Sequence, residues 1–269
     1  MLRRLVPFAA DLCLHRDLLW QFTVRNVELR HKGSYLGIVW SFLNPLLMLA
    51  LYVLVFGYIF GGSFGRPGET RMDYGLGIFL GLTLFHFASE VLVTSPTVIV
   101  GNPNFVKKVV FPLEILPAAN VGAAVFHLSI GLGLVLLGVV IFGGGLSWSL
   151  LWLPVILLPL VLTCLGMNWL FSALGVFLRD IGQLMQFLSL ALMFASAVFY
   201  PISKIPAAAW SFLRFNPVLL AIDLARDAVL WRESLNLTHL AYLYGFGLVA
   251  CYAGYAIFRR LKPAFADVL

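Results

Sequence analysis

The sequence contains little charge for its length. Only 11% of its 269 residues are charged, whereas 61% are hydrophobic. Soluble domains carry about 25% charged residues, so this chain lacks the polar side chains that a water-facing surface needs. That shortage excludes an ordinary soluble fold and indicates a protein whose surface faces a lipid bilayer. The net charge of +6 is spread over scattered residues, which argues against a nucleic-acid partner.

Residues for metal or redox chemistry are also scarce. The three cysteines, Cys13, Cys164 and Cys251, are far apart in the chain, and no C-x-x-C pair occurs. The five histidines are dispersed and form no H-E-x-x-H motif. We therefore predict that this chain holds no metal and no cofactor, and we interpret the cysteines as small hydrophobic residues.

A nucleotide-binding loop is missing as well. The chain contains no G-x-x-x-x-G-K-[ST] motif and no Gly-Lys dipeptide, which excludes ATP hydrolysis at a P-loop. Many of its glycines lie instead within apolar runs, where small residues let helices approach one another closely. We expect such close helix packing at Gly75, Gly77, Gly131, Gly133 and Gly138.

Long apolar runs are what the sequence has in abundance. A helix needs about 20 mostly apolar residues to cross roughly 30 Å of hydrocarbon, and six runs meet this requirement. Each run must be helical, since lipid offers no partner to free backbone groups. The predicted fold is therefore a single all-α transmembrane domain, with an interfacial segment at 1–35 and a cytoplasmic tail at 259–269. The predicted spans are 36–60, 74–100, 115–142, 146–178, 181–200 and 237–258.

Basic residues indicate how the six spans are oriented. An even number of spans places both termini on one side of the membrane. That side carries twelve Lys and Arg residues, against six on the other. Because basic residues accumulate in cytoplasmic loops, both termini are predicted to be cytoplasmic.

The segment 11–32 precedes the first span and is amphipathic. At helical spacing Asp17, Arg25 and Lys32 share one narrow face, and apolar residues such as Phe22 and Leu29 lie away from it. The pattern predicts a helix that lies in the membrane interface. A soluble helix packed on a partner protein would show the same pattern.

The segment 201–236 separates the fifth and sixth spans on the predicted outer side. Its apolar pieces, 207–213 and 218–224, are too short to cross a bilayer and are separated by prolines. They predict short, re-entrant helices that enter the outer leaflet and turn back.

Two features within the spans are candidates for a substrate path. Glu90 lies inside the second span, and ionisable residues at such depth are costly and typically functional. In the first span, residues spaced four apart form one ridge along the helix. That ridge either lines a path for sugar rings or contacts lipid and neighbouring helices. It consists of Trp40, Asn44, Met48, Tyr52, Phe56 and Phe60.

Several motifs occur in an order that resembles a known family. The stretch RHKGSYLGIVW at 30–40 is followed by an Asn-Pro pair at 44–45, and a later loop, 104–112, contains two adjacent lysines. In these features, over essentially its whole length, the chain resembles the polysaccharide-export permeases of the ABC type-2 family, which serve O-antigen, capsule and teichoic-acid export. The remaining matches are Arg179-Asp180-Ile181, Pro201, Pro206, Asn216-Pro217 and Arg226.

The resemblance implies a homodimer of six-span subunits in the bacterial inner membrane, bound to two copies of a separate ATPase that holds ATP and Mg²⁺. It implies that the chain is a permease rather than an enzyme, and that its substrate is a lipid-linked glycan. Candidate roles fall into three groups: a substrate path at Trp40, Tyr52, Phe56, Phe60 and Glu90, an ATPase contact at Lys107, Lys108, Arg179 and Asp180, and an outer gate at Pro201, Pro206, Asn216, Pro217 and Arg226.

Three other interpretations are open at this point. In the first, the chain belongs to an exporter of the same superfamily whose cargo is a drug or a lipid. The chain is a polyprenyl-phosphate sugar transferase in the second, which requires acidic or histidine side chains that converge near the membrane interface. In the sequence only Glu90 is well placed for that role. In the third, the chain is a scaffold without transport activity.

Overall fold

The computed structural model describes residues 7–32, 35–107, 111–143, 145 and 147–269, and within these ranges it contains helices and no strand. Among the described residues, five helices are long and apolar enough to cross a membrane, or six if the bent pair Ala207–Leu213 and Pro217–Trp231 is counted as one span. The helix of the predicted fifth span, Ile181–Ala195, is shorter and is not one of them. The predicted all-α membrane fold is thus confirmed. The helices are α1 (Pro7–Leu14), α2 (Arg16–His31), α3 (Trp40–Tyr52), α4 (Arg71–Thr94), α5 (Thr97–Val100), α6 (Pro103–Lys107), α7 (Ile115–Phe142), α8 (Leu153–Phe177), α9 (Ile181–Ala195), α10 (Ala207–Leu213), α11 (Pro217–Arg226), α12 (Leu237–Leu261) and α13 (Phe265–Val268).

Helix α4 is the central helix of the bundle. It begins at a capping box, in which Thr70 accepts from the backbone of Asp73 and the Asp73 side chain accepts from that of Thr70. Neighbouring helices cover it on several sides, so 72% of its most apolar 18-residue stretch is buried. By contrast, none of the corresponding stretch of the first span is buried. The first span therefore lies at the edge of the subunit, with most of its surface free.

The predicted spans agree with the observed helices to different degrees. The third run coincides with α7, and the first corresponds to α3 extended by a 3₁₀ turn (Gly37–Val39) and a π-helical segment (Val53–Ile59). The second run was predicted to continue to Val100, but α4 ends at Thr94, because the chain turns at Ser95-Pro96 before the short α5.

The fifth run departs most from its prediction. Helix α9 ends at Ala195, five residues before the predicted end at Tyr200. The chain turns there through Ala197, whose φ of 50° lies in the left-handed region. The carbonyl of Ala195 accepts a hydrogen bond from the amide of Asn216 at 3.1 Å, so a contact from a later segment helps to fix the helix end.

Short helices occupy the segment between the predicted fifth and sixth spans, and their re-entry into the membrane stays a prediction. Helices α10 and α11 are separated by a bend of 102°, and a π-helical segment, Asp227–Trp231, continues α11. Asn216 caps α11 by accepting from the backbone N–H groups of Val218 and Leu219, and Pro217 occupies its first turn. A polar cap at a helix start between two apolar pieces accounts for the sharp bend.

The first and last described helices, α1 and α13, lie at one end of the bundle, which we call the terminal end. The Phe8 ring of α1 packs against Trp169 in the second half of α8, with ring centroids 6.1 Å apart. The Lys262 ammonium group lies 2.9 Å from the Glu114 carboxylate at the start of α7. The loop that contains α6 lies at this end as well, because α13 contacts α6.

The N-terminal helix α2 packs along α7, with its polar face exposed as predicted. Thr23 of α2 lies directly against Gly122 of α7, where a side chain would collide with the threonine. Phe22 is partly buried against the core, but Leu29 is 48% exposed, contrary to the prediction that it belongs to the apolar face. Leu29 instead lines the cavity that lies between α2 and α7, which leaves it exposed.

Close packing explains most of the glycines in the apolar runs. A methyl group at Gly75 or Gly77 would collide with Val53 or Phe64, and one at Gly131 or Gly138 would collide with Thr83 or Leu76. Gly133 is the exception, because no atom lies within 4 Å of the position that its Cβ would occupy. The prediction for that residue was wrong, since it lies on a face of α7 that no helix covers.

Candidate functional site

Two cavities lie side by side near the terminal end of the bundle. The larger, which we call the groove, is half open, has a volume of about 760 Å³ and is bounded by α3, α4 and α7. Its walls are mostly apolar, with polar side chains towards one end. They are formed by Arg30, Trp40, Ser41, Asn44, Pro45, Met48, Phe79, Leu82, Thr83, His86, Phe87, Ser89, Glu90, Val93, Thr94, Ala124, His127, Leu128 and Gly131.

The smaller cavity, which we call the pocket, has a volume of about 440 Å³ and lies between α2, α7 and the end of α4. Its walls are rich in amide, hydroxyl and guanidinium groups. They are formed by Phe22, Arg25, Asn26, Leu29, Arg30, Glu90, Thr94, Thr97, Val98, Asn102, Leu116, Asn120, Ala123 and His127.

Four residues line both cavities, and we call them the junction: Arg30, Glu90, Thr94 and His127. The Arg30 guanidinium group donates to the Glu90 carboxylate, and its Nη1 lies 3.0 Å from Nδ1 of His127. That Nδ1 atom also lies 3.1 Å from Oε1 of Glu90. The cluster therefore joins three helices, α2, α4 and α7, through charged and polar contacts.

The junction explains how a carboxylate is accommodated in the second span. Glu90 lies four residues before the end of α4, roughly 6 Å along the helix axis. Its side chain is 17% exposed, whereas that of Arg30 is 50% exposed. The carboxylate thus has a cationic partner from α2 and a position near the helix end, both of which lower the cost of placing it in lipid.

Sequence analysis did not single out His127. The one available signal was a histidine within an otherwise apolar third span. Its contact with Glu90 depends on how α4 and α7 are rotated against each other, which the sequence of either helix does not specify.

The ridge of the first span divides into two parts. Trp40, Asn44 and Met48 line the groove. Further along, Tyr52 and Phe56 stack with ring centroids 5.9 Å apart, and Phe56 and Phe60 stack at 5.7 Å. The three stacked rings, which we call the ladder, lie on the side of the groove away from the terminal end.

A fourth ring joins the ladder from a distant part of the sequence. Phe199, which follows α9, stacks on Phe56 at 4.7 Å and lies 5.5 Å from Tyr52. Tyr52 and Phe56 are partly buried by this contact, whereas Phe60 is 71% exposed. Sequence analysis missed the role of Phe199 because it placed this residue inside a fifth span that ran to Tyr200, whereas the helix ends at Ala195 and the chain then brings the ring to the first span.

A family model for the ABC-2 type transporter matches residues 17–230. The chain belongs to the ABC-2 type transporter family. The resemblance found in its motifs is thereby confirmed, and it is a multi-pass protein of the plasma membrane.

Individual members of the family are similar over nearly the full length. An O-antigen export system permease protein RfbA of Klebsiella pneumoniae is 27% identical over 94% of this chain and 95% of its own length. The protein of the same name from Myxococcus xanthus is 25% identical over 98% and 99%. The polysialic acid transport protein KpsM of Escherichia coli is 26% identical over 90% and 92%.

The predicted gate residues of this ABC-2 family member fall into two groups. Asn216 and Arg226 converge on the segment that follows α9: the Asn216 amide donates to Ala195 and Ser196, and Arg226 donates to the carbonyls of Ala197 and Val198. Pro217 opens α11 next to this contact. Pro201 and Pro206 lie outside the network, as extended residues at the starts of short helical turns.

The Arg226 side chain is the most deeply buried charge of this group. It is 4% exposed and donates to three main-chain carbonyls, at 3.0 Å to Gly77, 2.9 Å to Ala197 and 2.6 Å to Val198. Its guanidinium group also lies 4.3 Å from the centroid of the Phe64 ring. The side chain thereby ties α11 to the central helix α4 and to the chain beyond α9.

The predicted ATPase-contact residues of this family member lie at the terminal end. Lys107, in the last turn of α6, and Arg179 and Asp180, in the turn before α9, are all exposed. Lys108 lies outside the described residues. Helix α13 contacts both α6 and α8, so these surfaces are near each other.

An aromatic cluster connects α6 to α2. The Phe105 ring of α6 lies 5.3 Å from Phe22 of α2 and 4.8 Å from Phe111. The Arg25 guanidinium group covers both Phe22 and Phe105, at 5.3 Å and 5.9 Å from their centroids. The cluster therefore links α6 to α2, the helix that carries Arg30 to the junction.

Proposed function

We propose that the chain is the membrane-spanning permease subunit of an ATP-driven exporter that moves a lipid-linked, O-antigen-like polysaccharide across the plasma membrane. The observation that carries the proposal is the first span, whose apolar window is free of burial and which bears both groove-lining residues and the ladder. Near-full-length similarity to proteins named as O-antigen export permeases and a polysialic acid transport protein supports the cargo class.

The active form in this proposal is a homodimer. Large apolar side chains of the first span and of α9 are uncovered within the subunit, for example Leu47, Phe187 and Phe194 at 54%, 65% and 57% exposure. A second copy covers part of these faces and completes a path between the subunits. The ladder then lies beside the path, where the exposed Phe60 ring and the uncovered parts of Tyr52 and Phe56 contact sugar rings weakly and at several places. Weak multi-site contact lets a polymer slide, because no single site holds it.

Two copies of a separate ATPase, which bind ATP and Mg²⁺, supply the energy in this proposal. Both termini are cytoplasmic, and the ATPase docks at the terminal end beside Lys107, Lys108, Arg179 and Asp180. Docking moves α6, and the aromatic cluster transmits the movement to α2. Changes at the far end then open the gate formed by the segment from Pro201 to Arg226, including Pro206, Asn216 and Pro217.

The substrate path is tested by replacing the ladder. We expect Y52A/F56A to lower the amount of glycan that reaches the cell surface severalfold, because the ring faces that contact sugars are removed. Co-purification of the ATPase and the dimeric state are measured in the same cells and stay unchanged. Phe42 is the matched control, since it is 45% exposed on the same span but off the ridge, and F42A leaves export intact. Normal export by Y52A/F56A would show that the ladder does not line the path.

The docking surface is tested by charge reversal. We expect K107E/K108E to leave membrane insertion unchanged and to uncouple ATP hydrolysis from export, because an acidic loop repels the partner surface that a basic loop attracts. ATPase activity of the purified complex and surface glycan are measured together. K204E, at the opposite end, is the control and has no effect. Unimpaired coupling in the double variant would show that the lysines serve only as topology signals.

One observation bears on the sugar-transferase alternative. The junction brings His127 to Glu90, and His86 lines the same groove, so titratable groups do converge near the helix end. Glu90 is already engaged by Arg30 and His127, however, and membership in a transporter family favours a permease. Purified protein incubated with a labelled sugar donor distinguishes the two, and transfer to a prenyl phosphate would contradict the proposal.

A further inference from the structure

The segment that follows α12 packs against the terminal end of the bundle. It consists of a 3₁₀ turn (Lys262–Ala264) and α13 (Phe265–Val268), and we call it the tail segment. The Phe265 ring is fully buried, and its centroid lies 5.4 Å from that of Phe258 and 6.0 Å from that of Phe177. Because a helix of four residues is not stable on its own, these contacts hold α13 in place.

An ion pair joins the tail segment to the start of α7. The Lys262 ammonium group donates to both carboxylate oxygens of Glu114, at 3.0 Å and 2.9 Å. The main-chain carbonyl of Glu114 accepts a hydrogen bond from the Trp169 indole of α8 at 3.0 Å, so this residue is held from two sides. Its side chain is only 10% exposed, and loss of the lysine would leave a largely buried carboxylate without this cation.

The tail segment contacts both ends of the loop at which the ATPase is proposed to dock. We call residues 103–114 the docking loop, which begins with α6 and ends at Glu114 before α7. Helix α13 contacts α6, and Lys262 binds Glu114. The exposed Lys107, one of the proposed docking residues, lies between these two contacts. One short segment of the chain therefore supports the docking loop at both of its ends.

The docking loop needs such support because α6 is itself only five residues long. On one side the Phe105 ring of α6 packs against Phe22 of α2. The tail segment adds a second connection, to α12, the helix from which it extends. Helix α12 packs closely on α8, where a methyl group at Gly254 would collide with the backbone of Gly166. The tail segment thus joins the docking loop to a closely packed pair of membrane helices.

We propose that the tail segment is a coupling element, which positions the docking loop for the ATPase and passes the movement of that loop to α12. This role rests on the proposed function, in which the ATPase docks beside α6. Lys262, Glu114 and Phe265 are positioning residues, because they act through the loop. In the coupled protein the ion pair fixes the end of the loop, and the buried ring fixes α13 against α8 and α12.

The position of the docking loop is measured on the full chain without its partner. A nitroxide label is attached to N104C, at an exposed position of α6, after the three native cysteines have been replaced by alanine. We expect K262Q to narrow the electron paramagnetic resonance lines, because the loop loses a contact at one end and the label moves more freely. R260Q is the matched control and leaves the spectrum unchanged, since Arg260 is exposed in the last turn of α12.

The coupling role is tested by reversing the ion pair in the complex with the ATPase. We expect K262E and E114K each to lower the ratio of surface glycan to ATPase activity severalfold, because two like charges then face each other and release the loop. K262E/E114K restores a pair of opposite charges and is expected to recover most of the ratio. R260E is the control and leaves the ratio unchanged. Loss of folded protein would lower both quantities together, so the ratio separates coupling from stability.

Three outcomes would overturn the assignment. They are an unchanged spectrum in K262Q, an unchanged ratio in K262E, or a double variant that recovers nothing, which would indicate that Lys262 contacts the ATPase directly. If the charge-reversed single variants do not fold, K262Q and F265A replace them, and each is expected to lower the ratio. If the tail variants have no effect while K107E/K108E still uncouples hydrolysis from export, the role of the tail segment is wrong and the proposed docking function stands.

Discussion

A single guanidinium group, that of Arg226, holds three separate parts of the chain together. Its partners are main-chain carbonyls rather than carboxylates, and they belong to Gly77 in the central helix and to Ala197 and Val198 beyond α9. A planar fork of donors suits this arrangement, since each nitrogen reaches a different acceptor. The left-handed backbone at Ala197 is a conformation that costs free energy, and two of these hydrogen bonds offset that cost.

We expect R226K to destabilise the protein. An ammonium group cannot reach all three carbonyls, and each lost hydrogen bond to a buried charged group costs about 1.5–3 kcal/mol. The free energy of unfolding is therefore expected to fall by about 2–4 kcal/mol. The midpoint of thermal unfolding in detergent is the measurement.

The control for this prediction is R214K in the same segment. Arg214 is exposed and lies over the Phe215 ring at 4.7 Å, so its replacement is expected to change the midpoint little. An unchanged midpoint of thermal unfolding in R226K would mean that the three carbonyls find other donors. Arg226 would then not be required to hold the three parts of the chain together.

At the scale of elements, the contact between α8 and α12 depends on glycine. A methyl group at Gly166 would collide with the backbone of Ala250 and Cys251, and one at Gly254 would collide with the backbone of Gly166. The two helices therefore touch backbone to backbone, the kind of close approach that small residues permit in membranes.

We expect G166A to push these helices apart and to lower the free energy of unfolding by about 1–3 kcal/mol, the usual cost of overpacking. Gly133 provides the matched control on α7, because its side-chain position is empty. G133A is expected to be neutral or stabilising by up to about 1 kcal/mol, since alanine favours helix over glycine. Equal midpoints of thermal unfolding for the two variants would contradict the contact.

Elements also show what sequence can and cannot predict. The limits of α7 follow from its apolar run, because an uninterrupted run must be helical in lipid. The end of α9 does not follow, because it is fixed by Asn216 and Arg226 from the next segment. The partners of Glu90 could not be predicted either, because they come from helices whose rotation about their axes the sequence does not define.

At the scale of the whole molecule, the order of helices places the first and last described helices, α1 and α13, at one end. Contacts between α1, α8 and α12 hold the terminal end together, as Phe8 lies against both Trp169 and Tyr255. The opposite end is joined by Arg66, whose guanidinium group lies 2.6 Å from Glu233. The two ends are thus linked by different sets of contacts, which is consistent with separate docking and gating surfaces.

We expect the terminal end to face the cytoplasm, because the predicted topology puts twelve of the eighteen basic residues of the sequence on the side of the two termini. A reporter fused after Lys262 is expected to be cytoplasmic, and one inserted near Gly68 is expected to be outside. Gly68 has a φ of 74° in an exposed turn, so an insertion there disturbs no helix. Activity of a reporter that functions only outside the cell shows on which side each position lies. Opposite results at both positions would show that the topology is the reverse of the predicted one.

The shortness of α9 has a consequence for the surrounding membrane. Its 15 residues extend roughly 22 Å, less than the roughly 30 Å of a typical hydrocarbon layer. The lipid beside α9 must therefore thin, or another protein surface must cover the difference. A bilayer of long acyl chains resists such thinning, so the hydrophobic thickness of the host membrane acts on the subunit at the helix that leads into its gate segment.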